Sequence, residues 1–425
     1  MTRLLPPPLA LYLHFPWCVR KCPYCDFNSY TLRHELPADR YIDALERDLA
    51  FQVETLLCGP GQGREVRPVV SIFLGGGTPS LFPPEAIGRL LEAVRRYVSV
   101  AGDVEVTLEA NPGTLERGRF AEYRAAGVNR VSLGAQSFDP ARLQALGRIH
   151  TPRDTCRAAE ELHAAGLVNF NLDLMYGLPD QDVAGAVRDV EQALALSPAH
   201  VSHYQLTIEP GTVFAAAPPA LPDDDSTAAM LQACRERLAG AGFAQYEVSA
   251  YALPGRQCRH NLNYWCFGDY LGVGAGAHGK LTFAASGVIR RTVRQREPRR
   301  YLAASPQGLA EHAIPAQELP FEFMLNALRL VDGFPIAMFE ERTGLAWETV
   351  GGTVALLAGR GLLELDGGRC RPTPLGLRFL NEALLEFIPE SPESPGPREM
   401  STALRGHFGA SPTALYTGPG SDIGK

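Results

Sequence analysis

Six times between residues 11 and 207, a short apolar, β-branched run gives way to a polar or glycine-rich turn and then to a helical pattern. The runs are LYLHF (11–15), VVSIFL (69–74), VEVTLEA (104–110), RVSLGA (130–135), FNLDLMY (170–176) and VSHYQLT (201–207). Apolar residues at helical spacing lie between them, as in DRYIDALERDLAFQV and PEAIGRLLEAVRRYV. A strand followed by a crossover helix pairs in parallel with the next strand, and the helix covers the sheet. Six such units predict an α/β chain built as a barrel or part-barrel, with a flat doubly wound sheet as the alternative. The run ends favour the barrel. A cysteine cluster follows the first, Gly75-Gly76-Gly77-Thr78-Pro79 the second and Glu109-Ala110-Asn111-Pro112 the third; Gln136 follows the fourth and Asp173 lies within the fifth. Barrel enzymes draw their reactive groups from the C-terminal ends of several strands. Strand ends are also polar simply because they leave the core.

Around residue 315 the alternation stops. LPFEFMLNALRL, MFEERTG and ETVGGTVALLAGRGLLEL read as three helices, and GLLELDGGRCRPTPLG as a hairpin turning at Asp366-Gly367-Gly368. Together they suggest a small winged-helix-like domain. The expected division is a core over 1–225, barrel completion over 226–314, the small domain over 315–387 and a mobile tail over 388–425. That tail holds six Pro, six Gly and five Ser. AAAPPALPDDDST at 215–227 reads as a loop. With 425 residues, 45% of them hydrophobic, the chain can bury a large core, and wholesale disorder is excluded. A net charge of −7 speaks against a nucleic-acid partner. No run of about 18 apolar residues is present, and the N-terminus is too proline-rich for a signal peptide. The nine cysteines are too sparse for a disulfide scaffold. The expected location is the cytoplasm.

Three cysteines, Cys18, Cys22 and Cys25, fall in His14-Phe15-Pro16-Trp17-Cys18-Val19-Arg20-Lys21-Cys22-Pro23-Tyr24-Cys25-Asp26-Phe27, spaced C-x3-C-x2-C. Three thiolates on one loop can hold three corners of a [4Fe–4S] cube and leave the fourth iron open to an outside ligand. A Cys3His zinc site using His14 or a distant histidine is the rival. Arg20 and Lys21 are expected to lower the thiol pKa values. Gly75, Gly76 and Gly77 let the backbone approach a ligand, with N–H groups available for a carboxylate or phosphate. The run is neither a Walker loop nor G-x-G-x-x-G.

The cluster segment resembles the radical S-adenosylmethionine (SAM) superfamily, whose signature is C-x3-C-x-aromatic-C, matched here with Tyr24. The resemblance implies a full or partial (β/α) barrel, a [4Fe–4S] cluster on Cys18, Cys22 and Cys25, and SAM on the open iron. There the reduced cluster splits SAM to a 5′-deoxyadenosyl radical. GGTP, with Gly76, Gly77 and Thr78 after Gly75, resembles the element that holds the methionyl amino group. Tyr12 and His14 match the Y-x-H-x-P-x-C opening of the branch containing oxygen-independent coproporphyrinogen III oxidase. Glu109, Gln136, Arg148 and Asp173, in TLEANPG, GAQSF, LGRIH and NLDLMYGLP, match residues that contact SAM in that branch. Arg148 suits the carboxylate, and Glu109 or Asp173 the ribose hydroxyls. The resemblance runs from about Tyr12 to about Phe387.

Two departures separate this chain from the true oxidase. Phe27 stands where the oxidase has a fourth cysteine, and only 17 residues precede Cys18. His260-Asn261-Leu262-Asn263-Tyr264-Trp265 resembles the HNxxYW element of oxidase-like relatives proposed to act as haem chaperones. There it is associated with haem: an imidazole can ligate the iron, and Tyr264 and Trp265 offer flat apolar area. A buried histidine beside core aromatics is the plain alternative. GDYLGVGAGAHG (268–279) is expected to close the last barrel strand near the SAM site. RRTVRQREPRR (290–300), with six arginines, suggests a patch for tetrapyrrole propionates or an acidic partner. The expected function is haem carriage to an acceptor protein, membrane-associated or not, which the sequence does not identify. Oxidative decarboxylation of coproporphyrinogen III is the alternative. Oligomeric state is not fixed by the sequence.

Overall fold

The computed structural model describes residues 3–58, 67–113 and 118–389. Six strands stand at the expected runs: β1 (Leu9–Phe15), β2 (Val69–Gly76), β3 (Val100–Ala110), β4 (Arg130–Gln136), β5 (Phe170–Tyr176) and β6 (His200–Gln205). They lie side by side in chain order, all parallel. Crossover helices α1 (Ala38–Gln52), α2 (Pro84–Tyr97), α3 (Phe120–Ala126), α4 (Pro152–Ala164) and α5 (Val183–Ala195) link them, and α6 (Asp224–Gly240) follows β6. Helix starts have local causes. Thr151 and Asp154 cap α4 reciprocally, with Pro152 at its first position, and Asp182 caps α5.

The two-residue period of the strands sorts side chains between two faces. Leu11, Leu13, Ile72, Leu74, Val106, Leu108, Val131, Leu133, Leu172 and Leu174 enter the main core. A fully buried Leu or Ile contributes about 1.5–3 kcal/mol. The intervening positions carry Ser71, Glu105, Thr107, Arg130, Ser132, Asn171 and His200, all buried. Residues of β2 through β6 line one small common cavity, which requires a curled sheet.

Among the described residues the sheet has 12 strands and does not close. GDYLGVGAGAHG was expected to complete the barrel. Instead β9 (Asp269–Val273) pairs in parallel with the outer side of β1. Three antiparallel strands follow it, β10 (His278–Phe283), β11 (Val288–Val293) and β12 (Ala310–Ala313). The opposite edge ends with antiparallel β8 (Ala250–Ala252) and β7 (Ala244–Glu247) beside β6. The architecture is therefore a part-barrel within a large mixed sheet.

The expected loop at 215–227 is shorter than anticipated. A short helix covers Val213–Ala216, and α6 already begins at Asp224. The reason is the acidic run: Asp223 accepts from the Ser226 N–H, and Asp224 and Asp225 complement the helix N-terminus.

In the C-terminal region, helices Leu319–Ala327, Ile336–Thr343 and Glu348–Gly359 precede a hairpin of Leu363–Asp366 and Arg369–Pro372. Phe334–Pro335 adds a third strand to that wing, and short helices Pro374–Arg378 and Leu380–Leu385 follow it. Phe323, Phe334, Phe339 and Trp347 meet edge to face in its core. Leu4, Phe267 and Ile289 share that core, so the region is docked on the barrel. Of the expected tail, all but Ile388 and Pro389 lies outside the described residues.

Candidate functional site

The loop that leaves β1 crosses the mouth of a cavity of about 170 Å³ bounded by strand C-terminal ends. Cys18, Cys22 and Cys25 all line it, each half-buried. Asn28 pins the loop: its Nδ2 donates to the carbonyls of Ala275 (2.8 Å) and Arg296 (2.9 Å). Burial raises the Cys18 thiol and pushes Cys25 up to about 12. Lys21 acts on Cys25 in the expected downward direction but is outweighed, because desolvation of a thiolate costs more than a loop lysine returns.

Gly76, Gly77 and Glu109 also line the cavity, as do Gln136, Arg148 and Asp173. Gly76 has φ +112°, and a Cβ there would sit 2.4 Å from the His14 ring, so glycine is required. The glycine N–H groups were expected to face a ligand. They do not: Gly76 donates to Glu109 Oε2 (2.9 Å), Gly77 to the Phe15 carbonyl (2.6 Å) and Thr78 to the Trp17 carbonyl (2.8 Å). Burial pushes the Glu109 carboxyl up to about 8, partly offset by the Gly76 N–H. A protonated carboxyl can both donate to and accept from a hydroxyl. Asp173 is raised by burial and accepts from Asn171 (2.7 Å) and Ser132 (3.3 Å).

Gln136 ends β4 in the left-handed region, φ +65°, a strained conformation for this residue type. Its Oε1 accepts from the Tyr204 hydroxyl at 2.6 Å. Arg148 donates to Asn111 Oδ1 (2.5 Å) and the Gly134 carbonyl (2.7 Å), and lies 3.7 Å from Cys22 Sγ. Its Nε is buried without a hydrogen-bond partner. The sequence places Asn111 at a loaded strand end without giving it a role, and Tyr204 is not singled out. Asn111 joins Arg148 to Thr78 (2.9 Å), and Tyr204 lines the wall. Their signal was position at a strand end, which Asn-Pro in a plain turn would share. Tyr12 stands apart: it is buried, donates to or accepts from His14 Nδ1 (3.0 Å), and stacks on Phe73.

The HNLNYW element forms α7 (Arg259–Trp265), which lies against β2 at the opposite end of the part-barrel. His260 is 1% exposed, and both ring nitrogens are engaged, Nδ1 with Ser71 (3.0 Å) and Nε2 with Tyr264 (3.1 Å). Phe73 stacks on it at 4.9 Å, and burial lowers its pKa to about 3. Trp265, also 1% exposed, packs under Arg329 at 4.3 Å. Only Asn261 of this element reaches the large cavity; His260, Asn261 and Tyr264 line a smaller inner one of about 30 Å³. In this arrangement His260 and Trp265 are buried and present no ring face to the large cavity, while Tyr264 is half-buried.

The arginine-rich stretch forms no single patch either. Arg291 pairs with Glu322, and Arg294 with Asp48 at 3.1 Å, both arginines buried. Arg296 donates to Asn28, while Arg299 and Arg300 begin a helix capped by Glu297.

Residues 12–190 match the family model of the radical SAM superfamily, and 314–379 that of the HemN C-terminal domain. The chain is 47% identical over 387 residues to the protein named heme chaperone HemW of Escherichia coli (strain K12), covering 90% of this chain and 99% of that one. The chain belongs to the radical SAM superfamily, in its HemW family. The HemW of Haemophilus influenzae is 45% identical, with the same shares covered. A solved radical SAM enzyme, the coproporphyrinogen III oxidase HemN of Escherichia coli, aligns with a TM-score of 0.74 at 23% identity over 91% of each chain. That likeness establishes the fold.

Radical SAM membership implies a [4Fe–4S] cluster and SAM, and the donor set fits both. Among the described residues, no three His, Cys, Asp or Glu side chains are grouped to hold one metal ion. A four-iron cube instead spreads its thiolates over separate corners. His14 cannot complete a zinc site, since Nδ1 meets Tyr12 and Nε2 the Asn28 carbonyl (2.9 Å). Arg148, on the cavity wall with its Nη1 3.7 Å from Cys22 Sγ, suits a carboxylate such as that of SAM.

Proposed function

We propose that this chain is a cytoplasmic haem chaperone that binds a [4Fe–4S] cluster, SAM and haem, and passes haem to an acceptor protein. The observation that carries the haem assignment is similarity along nearly the whole length of a protein named heme chaperone HemW, 47% identical with 99% of it covered. Phe27 supports it, standing where the resemblance places a fourth cysteine in the oxidase. Cys18, Cys22 and Cys25 would hold the cluster, which supplies an electron to the sulfonium of SAM. Arg148 would take the SAM carboxylate, and Glu109 and Asp173 the ribose hydroxyls, with Gln136 fixed by Tyr204 between them. All nine cysteines are free thiols, as a reducing compartment allows. Among the described residues, no helix is long and apolar enough to cross a membrane.

The test begins with anaerobic cluster reconstitution. One sample then receives haem, and another coproporphyrinogen III with SAM and a reductant. Stoichiometric haem absorbance without protoporphyrinogen formation is the expected outcome. Turnover to protoporphyrinogen would replace the carrier by the oxidase.

A further inference from the structure

Nine consecutive residues, Val213 to Leu221 (VFAAAPPAL), carry no polar side chain, yet most of the segment faces water. Val213 is 66% exposed. Scattered apolar surface is ordinary, but a contiguous apolar strap marks a binding surface. The strap is fastened to the cluster loop. The Phe214 N–H donates to the Pro23 carbonyl (3.0 Å), and its ring lies 6.4 Å from that of Tyr24. Pro23 and Tyr24 sit between Cys22 and Cys25. Gly147 also backs onto Pro23, where an added Cβ would meet its ring at 2.8 Å. Two residues on, Ile149 is 59% exposed. Arg20 and Lys21, on the same cluster loop, are exposed and line the cavity mouth.

We infer that this collar is the haem-docking site: the macrocycle lies on the Val213–Leu221 strap and Ile149, with its propionates on Arg20 and Lys21. The inference rests on the haem-carrier reading above and adds where the cargo sits. Haem is a flat apolar ring with two carboxylates, so it needs both apolar area and cations; the strap supplies the first and the cluster loop it is bonded to supplies the second. An anionic membrane is the poorer occupant. The strap has no Lys or Arg and runs through Pro222 into Asp223, Asp224 and Asp225. The HNLNYW element is the poorer haem site, because His260 and Trp265 are sealed inside and the imidazole nitrogens are already bonded. A cargo held on an open collar can also be reached by an acceptor without unfolding the barrel.

The test uses the full chain with its cluster reconstituted. Val213→Asp combined with Ala216→Asp should raise the haem Kd by about tenfold or more, with cluster absorbance and SAM binding unchanged. Haem dimethyl ester, which lacks the carboxylates, should also bind the unaltered protein about tenfold more weakly. His260→Gln should keep the haem affinity of the parent. The collar is overturned if the double variant binds haem as the parent does, including the case where only transfer fails because an acceptor uses the strap. It is also overturned if His260→Gln loses haem at an unchanged melting temperature. A parent protein that binds no haem would instead overturn the carrier reading itself.

Discussion

The two ends of the part-barrel use the same residue types and differ in how far those residues are closed off from a ligand. At the rim, Cys18, Cys22, Cys25, Glu109 and Asp173 are half-buried around an open cavity. At the floor, Glu105, Arg130, Asn171, His200 and His260 are sealed. His200 meets Asn171 at 2.6 Å and Tyr246 at 2.8 Å, and Glu105 lies 4.0 Å from Arg130. A buried polar group without a partner is costly, so the floor groups hold one another in place. Rim groups border open space, where a ligand can reach them. Chemistry is therefore expected at the rim and stability at the floor.

The largest effect expected from this division is the loss of the cluster. Cys22→Ala should abolish the iron–sulfur absorbance after anaerobic reconstitution. The folding stability of the metal-free protein should shift by no more than about 1 kcal/mol, since the thiol is half-buried at a loop. A variant that still assembles the cluster would remove Cys22 from the ligand set.

Arg130→Ala should do the reverse. It leaves Glu105 buried beside a vacated guanidinium site, a defect that costs about 3–5 kcal/mol in other proteins. Urea unfolding measures it. A loss below about 1 kcal/mol would mean that the floor does not depend on this pair.

The sequence made much of the rim legible and almost none of the floor. Strand period and turn chemistry are local, so the six parallel strands and the loaded strand ends could be read directly. The C-x3-C-x2-C spacing is local as well. HNLNYW reads the same whether its histidine faces a ligand or a core. What decides is Ser71, 189 residues earlier in the chain. Arg291 and Arg294 looked like surface charge for the same reason, because Glu322 and Asp48 lie on other elements. The pairing of β9 with β1 is a similar non-local choice. His260→Ala gives this contrast a number. Losing two hydrogen bonds and a stacked ring should cost about 2–3 kcal/mol in urea unfolding. A near-neutral change would return the motif to the class of ligand-facing residues.

The smallest expected effect belongs to a rim residue and depends on pH. Glu109 holds its proton up to about 8 in the folded chain against an ordinary value of 4.5. Between those values the folded state binds a proton that the unfolded chain has released. Stability therefore falls as pH rises through the window and is untouched below it. Gln at this position keeps an oxygen for the Gly76 N–H but cannot ionise. Glu109→Gln should match the parent near pH 4 and exceed it by about 1–2 kcal/mol near pH 9, the shift being discounted because the carboxyl faces an open cavity. Urea midpoints at the two pH values decide it. A difference that does not change with pH would mean that the Glu109 carboxyl is already ionised in the folded protein, and its use as a hydrogen-bond donor at the rim would fall with it.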